Sequence, residues 1–180
     1  ESVMSDRLGV IGQRALSSTF TLRASYDMAR QVIARGVPGD FVECGVFAGA
    51  QAAAMALALM DAGCRDRRVH LFDSFAGIPK AGEKDNDLRP LVGSGSMRES
   101  SGVSVCPVDD VVGHFDEWGI DQRLFEWHEG WFEDTVPVAD IGKIAILRLD
   151  GDLYESTKVC MEYLYPKLSV GGWCIVDDFH

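Results

Sequence analysis

No apolar run in this 180-residue chain approaches the ~20 residues needed to cross a bilayer, which speaks against a membrane-spanning protein. Basic residues are scarce. Seventeen Lys and Arg stand against 28 Asp and Glu, a net charge of −11. Holding a nucleic-acid backbone needs clustered Lys and Arg, so this balance argues against nucleic acid as a partner. The five cysteines, Cys44, Cys64, Cys106, Cys160 and Cys174, form no CxxC and no Cys/His pair at zinc spacing, which argues against a zinc site or a dithiol motif. Cys44 and Cys174 lie in apolar runs, where a free thiol behaves as a small hydrophobe. Residues 1–9 lack the basic-then-apolar pattern of a signal peptide, so a cytoplasmic location is expected.

The chain instead has an alternation of strand-like and helix-like segments, with no internal repeat and no linker. Its length suits one domain over 1–180: a helical segment at 1–37, then a core over 38–180. Apolar residues repeat at the helical period across 4–36. Strands are expected at 40–44, 68–73, 123–128, 143–150 and 173–177. Helices are expected at 48–62, 107–118 and 154–168, the last stopped by Gly171-Gly172. Residues 76–105 are rich in Gly, Ser and charge. They read as a functional loop, with Gly77 onward as a lid over bound substrates. The alternation predicts an α/β protein with a Rossmann-like, doubly wound, mostly parallel sheet of order 3-2-1-4-5. A helix and two more strands would ordinarily follow Asp178-Phe179-His180, so the expectation is a core shortened at its C-terminal end.

Ligands of such sheets sit outside the carboxyl ends of the strands. Four strands end in acids: Glu43, Asp73, Asp150 and Asp177. One acid after a strand is commonplace, but four on one edge would repel each other unless a cation or ligand compensated them. In Glu43-Cys44-Gly45-Val46-Phe47-Ala48-Gly49, glycines at a strand-to-helix turn let a ligand approach the backbone. A G-x-G-x-x-G dinucleotide fingerprint would need glycine where Glu43 stands. A carboxylate there repels a pyrophosphate and attracts an ammonium. S-adenosylmethionine therefore fits better than NAD; a purely structural glycine turn is the alternative. Asp73 can accept the ribose hydroxyls of an adenosine. Gly130 and Trp131 suit an adenine pocket, unless Trp131 and Phe132 merely pack a short helix.

The strongest pattern pairs Asp150-Gly151-Asp152 with Asp177-Asp178. Neighbouring strands, about 4.8 Å apart, would bring Asp150 near Asp177 and Asp178. Hard oxygen donors in an open arrangement suit Mg²⁺. Adjacent strand residues point opposite ways, so Asp177 and Asp178 converge only if the chain turns there. A metal lowers the pKa of a coordinated hydroxyl, and Asp150 can then take its proton as the general base. Asp152 either belongs to this site or caps the following helix. D-x-D also occurs in phosphatases of the haloacid-dehalogenase type and in nucleotide-sugar glycosyltransferases. Only 30 residues follow Asp150, too few for the first, and the second leaves the Glu43 turn unexplained. A non-catalytic nucleotide-binding module stays open.

At these residues, from about Gly36 to His180, the sequence resembles the macrocin O-methyltransferase family. The resemblance rests on GDFVECGVFAG at 39–49, LFDSFAGIP at 71–79, GWFEDTVP at 130–137, LRLDGDLYEST at 147–157 and LYPKLSVGGWCIVDDF at 164–179. It implies a class I methyltransferase fold, S-adenosyl-L-methionine and Mg²⁺ or another divalent cation as cofactors, and O-methylation of a deoxysugar or another natural product. The implied partner is a small hydroxyl-bearing acceptor, a glycoside; a homodimer is compatible. By the same resemblance Asp150, Asp177 and Asp178 are metal ligands, with Asp150 also the base. Glu43, Gly45, Asp73 and Ser74 fall in the cofactor site, and their segments add Cys44, Val46, Gly49, Phe75, Gly130 and Trp131. The family's segment beyond the second Asp, which completes the sheet, does not follow here. No motif in 80–105 or the N-terminal helices specifies a particular sugar.

Overall fold

The computed structural model describes residues 2–85 and 101–177. The helical N-terminal segment is two helices rather than one: α1 (Ser2–Gly12) and α2 (Thr19–Ala34). Ser18 makes the break. Its backbone is extended and its Oγ accepts the Thr21 N–H at 3.3 Å, capping α2. The freed loop, residues 13–18, becomes part of the candidate site.

The remaining elements alternate as expected. They are β1 (Asp40–Cys44), α3 (Ala50–Asp61), β2 (Val69–Asp73), α4 (Val108–Glu117), β3 (Phe125–Glu129), α5 (Phe132–Thr135), β4 (Ile144–Leu149), α6 (Tyr154–Tyr163) and β5 (Leu168–Val176). The sheet order is β3-β2-β1-β4-β5 and every neighbouring pair is parallel. The lid reading of the loop after Gly77 falls largely on 86–100, outside the described residues, as do Asp178 and the chain end.

Side-chain alternation sorts each strand onto two cores. Phe41, Val69, Leu71, Phe125 and Ile146 face one core, packed by α1, α2, α3 and α4. Val42, Cys44, Phe72, Leu147 and Leu149 face the other, packed by α6 and the turn at Val136. Helix α3 is buried from Ala50 to Leu59, which explains its run of Ala and Leu in place of an amphipathic stripe. Among the described residues no helix is long and apolar enough to cross a membrane. Cys44, Cys106 and Cys160 are buried free thiols; Cys64 and Cys174 are partly covered ones.

The last strand differs from expectation. It starts at Leu168, and Gly171-Gly172 lie inside it rather than terminating α6, which ends at Tyr163 before a short turn containing Pro166. Between Ile144 and Ile146 the partner register on β5 jumps from Leu168 to Trp173, an irregularity that the glycine pair absorbs. A Cβ on Gly172 would stand 2.6 Å from the Ala145 carbonyl oxygen, so this close approach admits only glycine.

Phe41 is fully buried at the entry to β1. Phe41→Ala is expected to destabilise the chain by about 3–5 kcal/mol. The measurement is a lowered urea midpoint at unchanged m-value.

Candidate active site

The carboxyl edge of the sheet opens into a cleft of about 540 Å³. Strand parity decides which side chains reach it. Glu43, Arg148 and Ile175 stand in one row across β1, β4 and β5. Two residues further along, on the same face, come Gly45, Asp150 and Asp177. The Asp150 N–H donates to the Cys44 carbonyl and the Asp177 N–H to the Leu149 carbonyl, which carries the parallel pairing past the formal strand ends.

Arg148 is the residue that the sequence reading passed over. Its side chain is 1 % exposed. Nη1 donates to Glu43 Oε1 at 3.2 Å and to Asp150 Oδ2 at 3.0 Å, and Nη2 donates to Asp177 Oδ2. So Asp150 and Asp177 do meet, and the charge among the strand-end acids that had to be balanced is balanced first by an internal guanidinium. A signal for it was present: one charge in the apolar run Ile144–Leu149, at the same parity as Asp150. A buried charge in a central strand requires partners. Among the described residues no three His, Cys, Asp or Glu side chains form a metal-holding group. Asp178, the third expected ligand, lies outside them. Asp150 and Asp177 supply hard carboxylate oxygens from adjacent strand tips, and that donor set fits a cation such as Mg²⁺.

Glu43 is also 1 % exposed. Burial pushes its carboxyl up to about 8, an effect that the positive charge of Arg148 offsets only in part. Its Oε2 and the Nε of Arg148 have no hydrogen-bond partner among the described residues. Both side chains line a small cavity of about 60 Å³, walled by Ala15, Leu16 and Ser17 of the α1–α2 loop and by Gln51. Gln51 ties that wall down: its Nε2 donates to Ser17 Oγ at 2.8 Å and its Oε1 accepts from Ser25 Oγ at 2.7 Å. A buried orphan acceptor facing a cavity fits the polar amino-acid end of adenosylmethionine.

Asp73 braces the turn. Oδ2 accepts the N–H groups of Val46 at 2.7 Å and Phe47 at 3.0 Å, and Oδ1 accepts that of Phe75 at 2.8 Å. A carboxylate offers about four lone-pair sites, so three are already used. Asp73 still lines the cleft beside Ser74, whose Oγ donates to the Gly77 carbonyl. Phe47 (φ 48°) and Phe75 (φ 53°), both held by Asp73, have left-handed backbones, as do Ser104 and Asp152. Such conformations cost about 1–3 kcal/mol each and gather where function demands a geometry. Three of these four residues, Phe47, Ser104 and Asp152, line the cleft.

Gly45 and Gly49 are required by contact. At φ 91°, a Cβ on Gly45 would sit 2.0 Å from the Asp150 carbonyl oxygen; on Gly49 it would strike the Phe115 ring at 2.7 Å. Gly130 and Trp131 line the cleft, and Trp131 is 37 % exposed, whereas Phe132 packs against the second core. Phe132 also borders the cleft, so Gly130, Trp131 and Phe132 all contribute to its wall. Val46 borders the small cavity, but the Cys44 and Phe75 side chains turn into the two cores. Asp152 does not cap α6. Asp85 does so instead, accepting the Tyr154 N–H at 2.7 Å, while Asp152 lines the cleft.

The parallel 3-2-1-4-5 sheet with its ligand cleft at the β1–β4 edge places the chain in the class I methyltransferase fold. Residues 10–180 match the family described as Macrocin-O-methyltransferase (TylF), and the chain belongs to it. It is 41% identical over 152 residues to the 8-demethyl-8-(2,3-dimethoxy-alpha-L-rhamnosyl)-tetracenomycin-C 4'-O-methyltransferase of Streptomyces olivaceus, a match covering 82% of this chain and 56% of that protein. It is 42% identical over 150 residues to the demethyldecarbamoylnovobiocin O-methyltransferase of Streptomyces niveus, covering 82% of this chain and 55% of the relative. The solved structure of the O-methyltransferase NovP is similar at a TM-score of 0.81 and 36% identity, over 92% of this chain and 67% of that one. The chain thus spans about half the length of the curated relatives it matches.

Because the folded-state carboxyl of Glu43 lies above its ordinary 4.5, the native state holds a proton that the unfolded state has released. Its contribution to stability is complete below about 4.5 and is lost as the pH rises to about 8. In the ligand-free chain, Glu43→Gln is expected to flatten the fall in thermal midpoint between pH 5 and pH 8.5. A variant whose midpoint falls as steeply as the wild type's would refute this assignment.

Proposed function

We propose that the chain acts as an S-adenosylmethionine-dependent O-methyltransferase on a sugar hydroxyl of a glycosylated natural product. In this reading Asp150, Asp177 and Asp178 hold a divalent cation, Mg²⁺ by donor chemistry. The carrying observation is the meeting of Asp150 and Asp177 on one guanidinium at the rim of the cleft.

When bound, adenosylmethionine supplies a methyl group on a cationic sulfur, and the divalent cation supplies the charge that lowers a bound hydroxyl's pKa. The chain's own groups do the rest. Glu43 offers Oε2 to the ammonium of the cofactor's amino-acid end, whose charge favours the ionised carboxylate. Gly45, Val46 and Gly49 shape the turn against which that end lies. Asp73 and Ser74 face the ribose, and Gly130 and Trp131 the adenine. Asp150 accepts the proton of the acceptor hydroxyl at its carboxylate as the oxygen becomes a nucleophile. Asp177 and Asp178 hold the cation without taking the proton.

The cleft also discriminates among acceptors. Among its described lining residues are five acids, Asp73, Glu133, Asp150, Asp152 and Asp177, and no Lys, Arg or His. A sugar still attached to a nucleoside diphosphate would bring its phosphates into this negative field. An uncharged glycoside would not, and Leu16, Val103 and Trp131 at the rim give its aglycone exposed apolar surface. The tetracenomycin relative's name specifies a rhamnosyl-bearing acceptor, in keeping with this choice.

Asp150→Asn is expected to lower methyl transfer by about 100-fold or more, followed as methylated product by mass spectrometry. Its affinity for S-adenosylhomocysteine by calorimetry should stay within about threefold of the wild type's, less than 1 kcal/mol. Equal loss of both would oppose the role given to Asp150. Across a panel of acceptors, kcat/KM for neutral glycosides with apolar aglycones should exceed that for sugar nucleotides by at least about tenfold, or 1.4 kcal/mol of transition-state binding. The reverse order would sink the acceptor assignment.

A further inference from the structure

Arg148 is the buried charge for which methyl transfer itself has no use. It comes from the next-to-last position of the interior strand β4 and stands beneath the strand tips at the carboxyl edge. The larger cleft does not include it among its lining, and in the small cavity beside Glu43 it forms part of the wall. Yet one guanidinium contacts carboxylates from three strands: Glu43 of β1, Asp150 following β4 and Asp177 following β5. Its two terminal nitrogens divide the work. Nη1 serves Glu43 and Asp150, and Nη2 serves Asp177. A planar fork with fixed donor directions can hold two carboxylates in a set relation, which the point charge of a lysine cannot.

We propose that Arg148 is a positioning residue and internal counter-cation: its guanidinium holds Asp150 and Asp177 together as a preassembled pair and neutralises them until a divalent cation arrives. The proposal rests on the reading of Asp150 and Asp177 as cation ligands. Without Arg148, carboxylates on adjacent strand tips would lose the cation between them and repel each other across the sheet edge, a repulsion that an external cation would offset. With Arg148, the edge is intact in the empty state, and the arriving cation meets ligands already in place but with their charge partly balanced. Glu43 anchors the other side of the fork, which links the cation's ligands to the turn that receives the cofactor.

The test compares thermal midpoints of the wild type, Arg148→Lys and Arg148→Gln, in EDTA and with saturating Mn²⁺, without cofactor or acceptor. The gain in midpoint on adding Mn²⁺ should be at least twice as large in Arg148→Gln as in the wild type, because the ion there replaces a lost internal charge. Arg148→Lys keeps the charge, so its gain should not exceed the wild type's. A merely structural ion pair would lower the Arg148→Gln midpoint equally in both solutions, and that result overturns the proposal. Recovery of folded Arg148→Gln only when Mn²⁺ is supplied supports it. If that variant cannot be recovered at all, Arg148→Lys decides. Having lost the fork, it should bind Mn²⁺ at least threefold more weakly by calorimetry, and wild-type affinity overturns the proposal. The double variant Asp150→Asn/Asp177→Asn separates the two layers. A wild-type gain that survives in it, or no gain in the wild type, defeats the cation reading itself and the role of Arg148 with it; loss of the gain keeps that reading.

Discussion

A guanidinium buried beneath the carboxyl edge of a parallel sheet governs that edge of this protein. Arg148 cannot return to water, so the fold has to bring carboxylates to it, and it does so from three strands at once. Ion networks of this kind are weak evidence for stability, because desolvation consumes most of the Coulombic gain. Their effect is geometric. The strand order that makes β1, β4 and β5 neighbours also makes Glu43, Asp150 and Asp177 a cluster, and the guanidinium between them sets how close they stand.

The second constraint is the turn after β1, where the backbone comes too close to its neighbours to carry side chains. Gly45 lies against the Asp150 carbonyl and Gly49 against Phe115, so the turn is pressed against the chain following β4 on one side and against α4 on the other. Asp73 holds this arrangement by accepting three backbone N–H groups, two of them from phenylalanines in left-handed conformations. A residue that can face a ribose is thus also a brace for the loop beneath it. The two roles are compatible because a carboxylate accepts more than one hydrogen bond per oxygen.

Family membership and the acid-lined cleft point the same way. The relatives named by their reactions are O-methyltransferases, and the family match over residues 10–180 spans the residues that build the cleft. Among the described residues the cleft is lined by five acids and no Lys, Arg or His, and Arg148 beneath it balances part of their charge. In the proposed reading, that lining suits a cationic sulfur donor and a neutral acceptor.

What the sequence determined by itself was the alternation of elements, the parallel sheet and its order, and the identity of the acids at the strand ends. These follow from hydrophobic periodicity and from the handedness of crossovers, which are local properties or rules that hold for any chain. Glycine spacing and the D-x-D segment were legible for the same reason. Only the tertiary structure decided the rest. Ser18 divides the first helix, and Gly171-Gly172 serve an irregular strand rather than end a helix, because each outcome depends on what packs alongside. Asp85 in place of Asp152 caps α6, brought to the Tyr154 N–H from 69 positions away, and Asp152 lines the cleft. The partner of the strand-end acids was hidden for the most general reason. A charge inside an apolar run discloses that it needs company, but which carboxylates provide it is settled by register across three strands that lie up to 134 positions apart in the chain, from Glu43 to Asp177.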